Sequence, residues 1–131
     1  MAMTNDEVQD WLDRYIAAWR SDDPAAIAEL FATDATYRFH PWDEEPITGR
    51  DAIVAELDDR DEHGSWEAWY RPYSVEDDRA AVIGESRYSH PDGSLKTLYH
   101  NFWALRFDAD GRCVDLVEYV MELPEQLRAG R

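Results

Sequence analysis

The stretch LKTLYHNFWALRFDADGRCVDLVEYVME, residues 95–122, decides the fold of this chain. Apolar and aromatic residues alternate on both sides of Asp108-Ala109-Asp110-Gly111, a sequence typical of a tight turn, so the stretch is predicted to form two antiparallel strands, 95–107 and 112–122. The residues on one face are Tyr99, Asn101, Trp103, Leu105, Leu116, Glu118 and Val120. The residues on the other face are Phe102, Ala104, Val117, Tyr119 and Met121.

One carboxylate interrupts the first of these faces. Glu118 is in register with Leu116 and Val120, because alternate side chains of a strand point to the same side. The functional interpretation is a general acid or base whose pKa is raised by desolvation. The structural interpretation is a glutamate paired with Arg87 or Arg106, or one near solvent at the edge of the sheet.

The rest of the chain predicts an α+β fold in a single domain of 131 residues. Three helices come first. One is predicted over 5–20, and Thr4 and Glu7 offer a capping box at its start. A second begins at Pro24 and includes Ile27, Leu30 and Phe31, and a third runs from Gly49 to about Glu62. The further strands are 34–39, 66–75 and 80–89, with a loop at 41–49. Pro72 is expected at a bulge or at a sheet edge, where a missing N–H is tolerated.

Composition excludes several classes of protein. A hydrophobic fraction of 44% argues against disorder, and a net charge of −16 argues against binding to nucleic acid or to an anionic membrane. The chain has no apolar run long enough for a transmembrane helix. The single cysteine, Cys113, is expected to be a buried small hydrophobe in a cytoplasmic protein. No residue spacing indicates a metal or cofactor site, so neither is expected.

Four segments in this order resemble the nuclear transport factor 2-like superfamily: YIAAW (15–19), LFATDAT (30–36), GRDAI (49–53) and LRFDADGR (105–112). That superfamily includes SnoaL-like cyclases, ketosteroid isomerases and limonene epoxide hydrolases, and the resemblance covers about residues 8–123. It implies a cone-shaped α+β barrel, in which three N-terminal helices pack on a curved, mainly antiparallel sheet and a ligand enters the open end. This fold hosts many reactions and also non-catalytic modules.

Of the three catalytic positions of ketosteroid isomerases, one is matched in this sequence and two are changed. Tyr15 matches the tyrosine that donates to the developing oxyanion. Phe39 or His40, before Pro41, stands where those enzymes have their aspartate base. Trp103 stands where they have a protonated aspartate.

The resemblance to epoxide hydrolases involves the last strand. Glu118-Tyr119 is similar to their Asp-Tyr, whose aspartate is the general base. The segment 37–41 is similar to their Tyr-x-Asn-x-Pro, with Phe39 in place of the asparagine that holds water. Glu85-Ser86-Arg87 presents their Arg-x-Asp in reverse order.

These considerations give two sets of candidate site residues. The catalytic candidates are Glu118 as acid or base, Tyr15 as a donor to a ligand oxygen, His40 as acid or base and Arg87 as an orienter of Glu118. The ligand-binding candidates are Trp19, Tyr37, Phe39, Glu85, Tyr99, Asn101 and Trp103. The structural alternatives are ordinary core packing for the aromatic residues, a solvated loop histidine and a surface ion pair between Glu85 and Arg87. His100 is expected on the other face of the sheet.

Two functional hypotheses follow. The first is a cofactor-free proton-transfer enzyme, namely an isomerase, cyclase, lyase or hydrolase, acting on a small apolar carbonyl or epoxide compound. The second is a non-catalytic ligand-binding or dimerisation domain of the same fold. Because helices can cover only one apolar face of the sheet, the other face is expected to form a homodimer.

Overall fold

The computed structural model describes residues 2–57 and 65–131. In these ranges the helices are α1 (Asn5–Ser21), α2 (Pro24–Ala28), α3 (Arg50–Leu57) and a short 3₁₀ helix (Glu125–Leu127). The strands are β1 (Phe31–Arg38), β2 (Ile47–Thr48), β3 (Ser65–Glu76), β4 (Arg79–Ser89), β5 (Leu95–Phe107) and β6 (Cys113–Glu122). None of the described helices is long and apolar enough to span a membrane.

The strands form one curved, unclosed sheet in the order β2-β1-β6-β5-β4-β3. Strands β3 to β6 are an antiparallel meander, and β1 joins β6 in parallel. The three α-helices pack on this sheet, which confirms the predicted α+β cone. The side of the sheet that faces α1 is called the inner face below, and the opposite side is called the outer face.

Helix α1 begins as the sequence predicts. The Thr4 hydroxyl accepts a hydrogen bond from the Glu7 backbone N–H at 3.1 Å, and the Glu7 carboxylate accepts from the Thr4 N–H at 3.0 Å. This capping box satisfies two N–H groups that the helix leaves without partners. The buried stripe of the helix consists of Val8, Trp11, Leu12, Tyr15 and Ala18. It packs against the inner face of the sheet and closes the core.

The predicted membership of Leu30 and Phe31 in the second helix is wrong. Helix α2 ends at Ala28, and Phe31 begins β1, where it pairs with Cys113 of β6. The spacing of Ile27, Leu30 and Phe31 imitates one face of a helix because all three are buried in the same core. Pairing with a strand 82 positions away in sequence, which no local pattern reveals, decides the matter.

The region between β1 and the meander differs from the prediction in one more respect. Strand β2 forms inside the segment 41–49 that was predicted as loop, and it pairs with Thr36 and Tyr37 of β1. The predicted end of the third helix, near Glu62, lies outside the described residues.

The alternation predicted for the last two strands is confirmed. Trp103, Leu105 and Leu116 are buried on the inner face, whereas Phe102 and Tyr119 are exposed on the outer face. The same alternation in β3 is interrupted at a register shift between Pro72 and Ser74. Strand β3 is also an edge strand, so the prediction of a bulge or an edge at Pro72 is confirmed on both counts.

Candidate functional site

A cavity of about 220 Å³ lies between the helices and the inner face of the sheet. It is called the inner cavity below. Helix α1 contributes residues one turn apart, the strands contribute every second residue, and α3 contributes its last residue. The lining residues are Tyr15, Trp19, Tyr37, Phe39, Leu57, Tyr70, Ser86, Tyr88, Tyr99, Asn101, Trp103, Glu118 and Val120.

Glu118 provides the carboxyl group of the inner cavity. It is half-buried, with part of its surface open to the cavity, and it pairs in register with Trp103 of β5. Burial raises the pKa of this carboxyl group to about 8, and the nearby Tyr37 hydroxyl and Trp103 indole N–H offset that rise only in part. Removal from water penalises the charged form of a carboxyl group, and none of the described residues that line the cavity is a cation that would offset that penalty. At pH 7 the group is therefore mostly protonated.

Two tyrosine hydroxyls lie close to this carboxyl group. The hydroxyls of Tyr15 on α1 and Tyr37 on β1 are 3.4 Å apart, and both residues are buried. Burial, reinforced by the charge on Glu118, raises the pKa of both phenols. Both hydroxyls are therefore neutral and able to donate. Only one of them is needed as donor to the other, so a second proton is available to a ligand oxygen or to Glu118.

A stacked aromatic pair forms one wall. The rings of Tyr70 and Trp103 are 4.2 Å apart with an interplanar angle of 19°. The Tyr70 ring reaches this position across Gly84, where a Cβ atom would lie 2.2 Å from the Tyr70 ring and from the Trp69 carbonyl oxygen. A glycine at this strand position is thus required for the wall of the cavity.

A polar chain runs along the same wall. The Asn101 amide Nδ2 donates to the Tyr70 hydroxyl at 2.5 Å, and the Tyr70 and Ser86 hydroxyls are 2.6 Å apart. Burial raises the pKa of Tyr70 to about 12, against the effect of these two hydrogen bonds. The Asn101 Oδ1 atom is buried and has no hydrogen-bond partner among the described residues. A buried acceptor in this state is costly and marks a place where a partner is missing.

The inner cavity brings together most of the ligand-binding candidates. Trp19, Tyr37, Phe39, Tyr99, Asn101 and Trp103 all line it. Trp19 packs on Trp66 with ring centres 4.6 Å apart, and Phe39 packs on Tyr37 at 4.9 Å. The sequence reasoning missed Tyr70, Ser86 and Tyr88. The alternation of Gly84, Ser86 and Tyr88 on one face of β4 was the signal that could have found them.

Arg87 and Glu85 do not reach the inner cavity, so the prediction that Arg87 orients Glu118 is wrong. Because Ser86 faces inward, its neighbours Glu85 and Arg87 face outward. There the Glu85 carboxylate lies 3.3 Å from His100 Nδ1 and accepts a hydrogen bond of 3.2 Å from the Trp69 indole. His100 is on the outer face, as predicted.

His40 also lies away from Glu118. It is exposed, stacks on Trp42 with ring centres 4.7 Å apart and lies 3.6 Å from the Asp43 carboxylate. The turn after β1 carries it beyond the end of the strand, so it borders a cleft of about 470 Å³ on the outer face. The prediction that His40 shares the site with Glu118 is therefore wrong.

No group of three or more His, Cys, Asp or Glu side chains in the described ranges could hold a metal ion. The thiol of Cys113 is buried, and burial raises its pKa, so it behaves as a small apolar side chain. The polar groups that the described residues present to the inner cavity are one carboxyl group, the phenol hydroxyls, the Ser86 hydroxyl, two indoles and one amide.

A family model described as a SnoaL-like domain matches residues 12–116. No curated protein matches the chain. Among solved structures, an LEH-like epoxide hydrolase from Mycobacterium tuberculosis is similar, with a TM-score of 0.69 and 14% identity over 89% of this chain and 84% of that one.

Two further structures share the fold. A Delta 5-3-ketosteroid isomerase from Mycobacterium sp. has a TM-score of 0.67 and 17% identity over 89% of this chain and 98% of that one. A Mycobacterium tuberculosis protein solved in complex with estradiol-17beta-hemisuccinate has a TM-score of 0.66 and 16% identity, over 86% of this chain and 92% of that one. At these identities the likeness establishes the fold alone. The family match covers most of the chain, and this protein therefore belongs to the SnoaL-like domain family within the nuclear transport factor 2-like superfamily.

Proposed function

We propose that the inner cavity is the active site of a cofactor-free proton-transfer enzyme that acts on a small, largely apolar carbonyl or epoxide compound. The reaction would be an isomerisation, cyclisation, elimination or hydrolysis. The observation that carries the proposal is Glu118, a carboxyl group on the wall of an aromatic cavity with its pKa raised to about 8. Enzymes place the pKa of a catalytic acid or base near the working pH. At that pKa, enough of the group is in the required protonation state and it still transfers the proton readily.

The raised pKa gives Glu118 two roles. Below about pH 8 it is protonated and can donate a proton, or a hydrogen bond, to a carbonyl or epoxide oxygen. Above that pH it is a carboxylate with little water around it, and it can remove a proton from a carbon next to a carbonyl group. In an isomerisation the same proton is returned to another carbon, so the carboxyl group ends in its starting state.

The phenols would stabilise negative charge on the ligand oxygen. Tyr15 and Tyr37 remain neutral because burial raises their pKa, so they keep the protons that such an oxygen needs. The unpartnered Asn101 Oδ1 would accept a hydrogen bond from a ligand hydroxyl or from a bound water. The phenols and the Asn101 amide oxygen would thus orient a small molecule between the aromatic walls of the cavity.

The proposal is tested with cyclohex-3-enone, whose conversion to the conjugated isomer is followed by ultraviolet absorbance. We expect turnover whose kcat/KM rises with an inflexion near pH 8, because the carboxylate form of Glu118 is the base. Glu118→Gln should lose about 10²-fold or more of kcat. Glu76→Gln, at an exposed position at the end of β3, is the matched control and should keep full activity.

A non-catalytic ligand-binding domain is the second candidate. One observation favours it: Arg87, His40 and Glu85 all lie outside the inner cavity, so Glu118 has no charged partner among the described lining residues. Binding of the enone without turnover, unchanged by Glu118→Gln, would establish this reading and would contradict the enzyme proposal.

The outer face is proposed to form a homodimer. Its exposed large side chains are Trp42, Trp69, Tyr73, Phe102, Tyr119 and Met121. At 150–250 Å² for a fully exposed aromatic side chain, their exposed fractions amount to roughly 700 Å². This exceeds the largest apolar patch of a typical monomer and approaches the roughly 800 Å² that each partner contributes to a standard interface. A second copy of the chain presents the same face and is the partner proposed.

A further inference from the structure

We propose that the inner cavity binds small organic cations, that is, protonated or quaternary amines with an apolar ring or chain, in preference to neutral and anionic molecules of the same shape. This ligand class goes beyond the proposed function and does not depend on turnover. It is inferred from the aromatic residues that line the cavity, from its single acidic side chain and from its size.

Aromatic rings dominate the cavity wall. They come from five different elements and the residue after β1, and they are Tyr15, Trp19, Tyr37, Phe39, Tyr70, Tyr88, Tyr99 and Trp103. The face of an aromatic ring carries negative potential and attracts a cation within about 6 Å of its centre, most strongly when the cation is out of water. One contact of this kind exists outside the cavity, where the Arg20 guanidinium lies 4.3 Å from the centre of the Trp66 ring.

The charge balance of the cavity favours a cation as well. Glu118 is the one lining residue in the described ranges whose side chain can become fully charged near neutral pH, and none of the described lining residues is Arg, Lys or His. An anionic ligand would therefore meet no positive charge among these residues, whereas an ammonium group would meet a carboxyl group that can lose its proton and become a carboxylate. The net charge of −16 acts in the same direction, since it raises the local concentration of cations around the protein.

A bound cation would also supply what Glu118 lacks. The pKa of this carboxyl group is raised because burial is offset only in part, by the neutral Tyr37 and Trp103. The charged form of Glu118 in turn raises the pKa of the phenols of Tyr15 on α1, Tyr37 on β1 and Tyr70 on β3. A positive charge nearby favours the carboxylate and lowers its pKa. Binding of a cation at pH 7 should therefore release a proton.

The size of the cavity limits the ligand. A volume of about 220 Å³ lies below the 300–1,000 Å³ of pockets that hold drug-sized molecules. A ligand of about ten non-hydrogen atoms, with one ring and a short arm, matches such a volume. Benzylamine is a suitable probe, and benzyl alcohol and benzoate are its neutral and anionic counterparts of nearly equal size.

Titration calorimetry at pH 7 tests the inference. We expect benzylamine to bind at least tenfold more tightly than benzyl alcohol, and benzoate to show no binding. Glu118→Gln should reduce the preference for the amine while keeping the affinity for the alcohol, and Glu76→Gln should change neither. Equal affinities for benzylamine and benzyl alcohol in the unmodified protein would overturn the inference.

A second measurement needs no variant of Glu118. Repeating the titration with benzylamine and with benzyltrimethylammonium in two buffers of different ionisation enthalpy gives the number of protons released. We expect close to one proton for each ligand at pH 7 and none at pH 9.5 for the quaternary ion, which cannot exchange protons itself. Binding without proton release at pH 7 would contradict a contact with Glu118. Enone turnover does not enter either measurement, so this inference and the proposed function can fail separately.

Discussion

At the scale of single residues, burial of the Glu118 carboxyl group suits it to acid–base chemistry and lowers the stability of the folded protein. Its pKa is raised in the folded protein, so the folded state binds more protons than the unfolded state between about pH 4.5 and pH 8. Stability must then fall as pH rises through this window and must level off above it. A shift of this size corresponds to roughly 3–5 kcal/mol, and partial exposure to the cavity reduces that figure.

Replacing the carboxyl group by an amide removes this pH-dependent cost. We expect Glu118→Gln to leave the free energy of unfolding nearly unchanged at pH 5 and to raise it by about 1–3 kcal/mol at pH 8.5 relative to the unmodified protein. Urea denaturation at both pH values measures the difference. Glu76→Gln should show no such pH-dependent gain. If Glu118→Gln were equally stable or less stable at pH 8.5, the carboxyl group would be solvated and the acid–base proposal would lose its basis.

The sequence assigned Glu118 to the correct face of the sheet and Arg87 to the wrong one, because local alternation is clear around Glu118 and ambiguous around Arg87. Glu118 lies between Leu116 and Val120 in a strand whose alternation is unambiguous, so its face could be assigned from local spacing. Around Arg87, both faces of β4 carry polar residues, with Glu85 and Arg87 on one side and Ser86 on the other. Only the pairing of β4 with β5 distinguishes these sides, and a local pattern does not contain it.

At the scale of elements, the wall of the inner cavity depends on a close approach between two strands. The Tyr70 ring of β3 lies directly over Gly84 of β4 and stacks on Trp103 of β5. This contact holds in place the Tyr70 hydroxyl, which accepts a hydrogen bond from the Asn101 amide. The glycine is therefore a determinant of cavity shape, although its backbone angles are those of an ordinary strand residue.

A methyl group at this position should disrupt the wall. In Gly84→Ala the new Cβ would lie 2.2 Å from the Tyr70 ring and from a backbone oxygen, so the strand or the ring must move. We expect a loss of about 1–3 kcal/mol in the free energy of unfolding, measured by urea denaturation, and weaker ligand binding. The control is Gly93→Ser. No atom lies near the position of its new Cβ, so any loss of stability in that variant comes from the positive φ of the backbone and not from a steric clash. Unchanged stability in Gly84→Ala would show that β3 and β4 are not so close.

The extent to which elements were predictable follows the range of the interactions that form them. The capping box of α1 and the turn between β5 and β6 depend on residues a few positions apart, so both were predicted. Strand β1 begins at Phe31 because of Cys113, far along the chain, and β2 exists only because β1 can pair with it. Neither leaves a local signal, which is why α2 was predicted too long and β2 was missed.

At the scale of the whole molecule, two opposing terms act on the outer face. Its exposed aromatic and methionine side chains favour association, since burial of apolar area is worth about 25 cal/mol per Å². The net charge of −16 on each copy opposes it through mutual repulsion. Salt screens repulsion between surface charges over about 10 Å at 0.1 M and leaves apolar burial largely intact. The proposed dimer should therefore be stronger at higher ionic strength, unlike an association driven by opposite charges.

Sedimentation velocity distinguishes these cases. We expect a species of about twice the chain mass of 15.3 kDa, with a dissociation constant that falls severalfold between 0.05 M and 0.5 M NaCl. Tyr119→Lys places a charge in the middle of the outer face and should give a monomer. Ala17→Lys makes the same change in charge on the exposed side of α1 and should leave the dimer intact, or strengthen it slightly by reducing the repulsion. A monomer at every salt concentration, or equal effects of the two lysines, would rule out the outer face as a dimer interface.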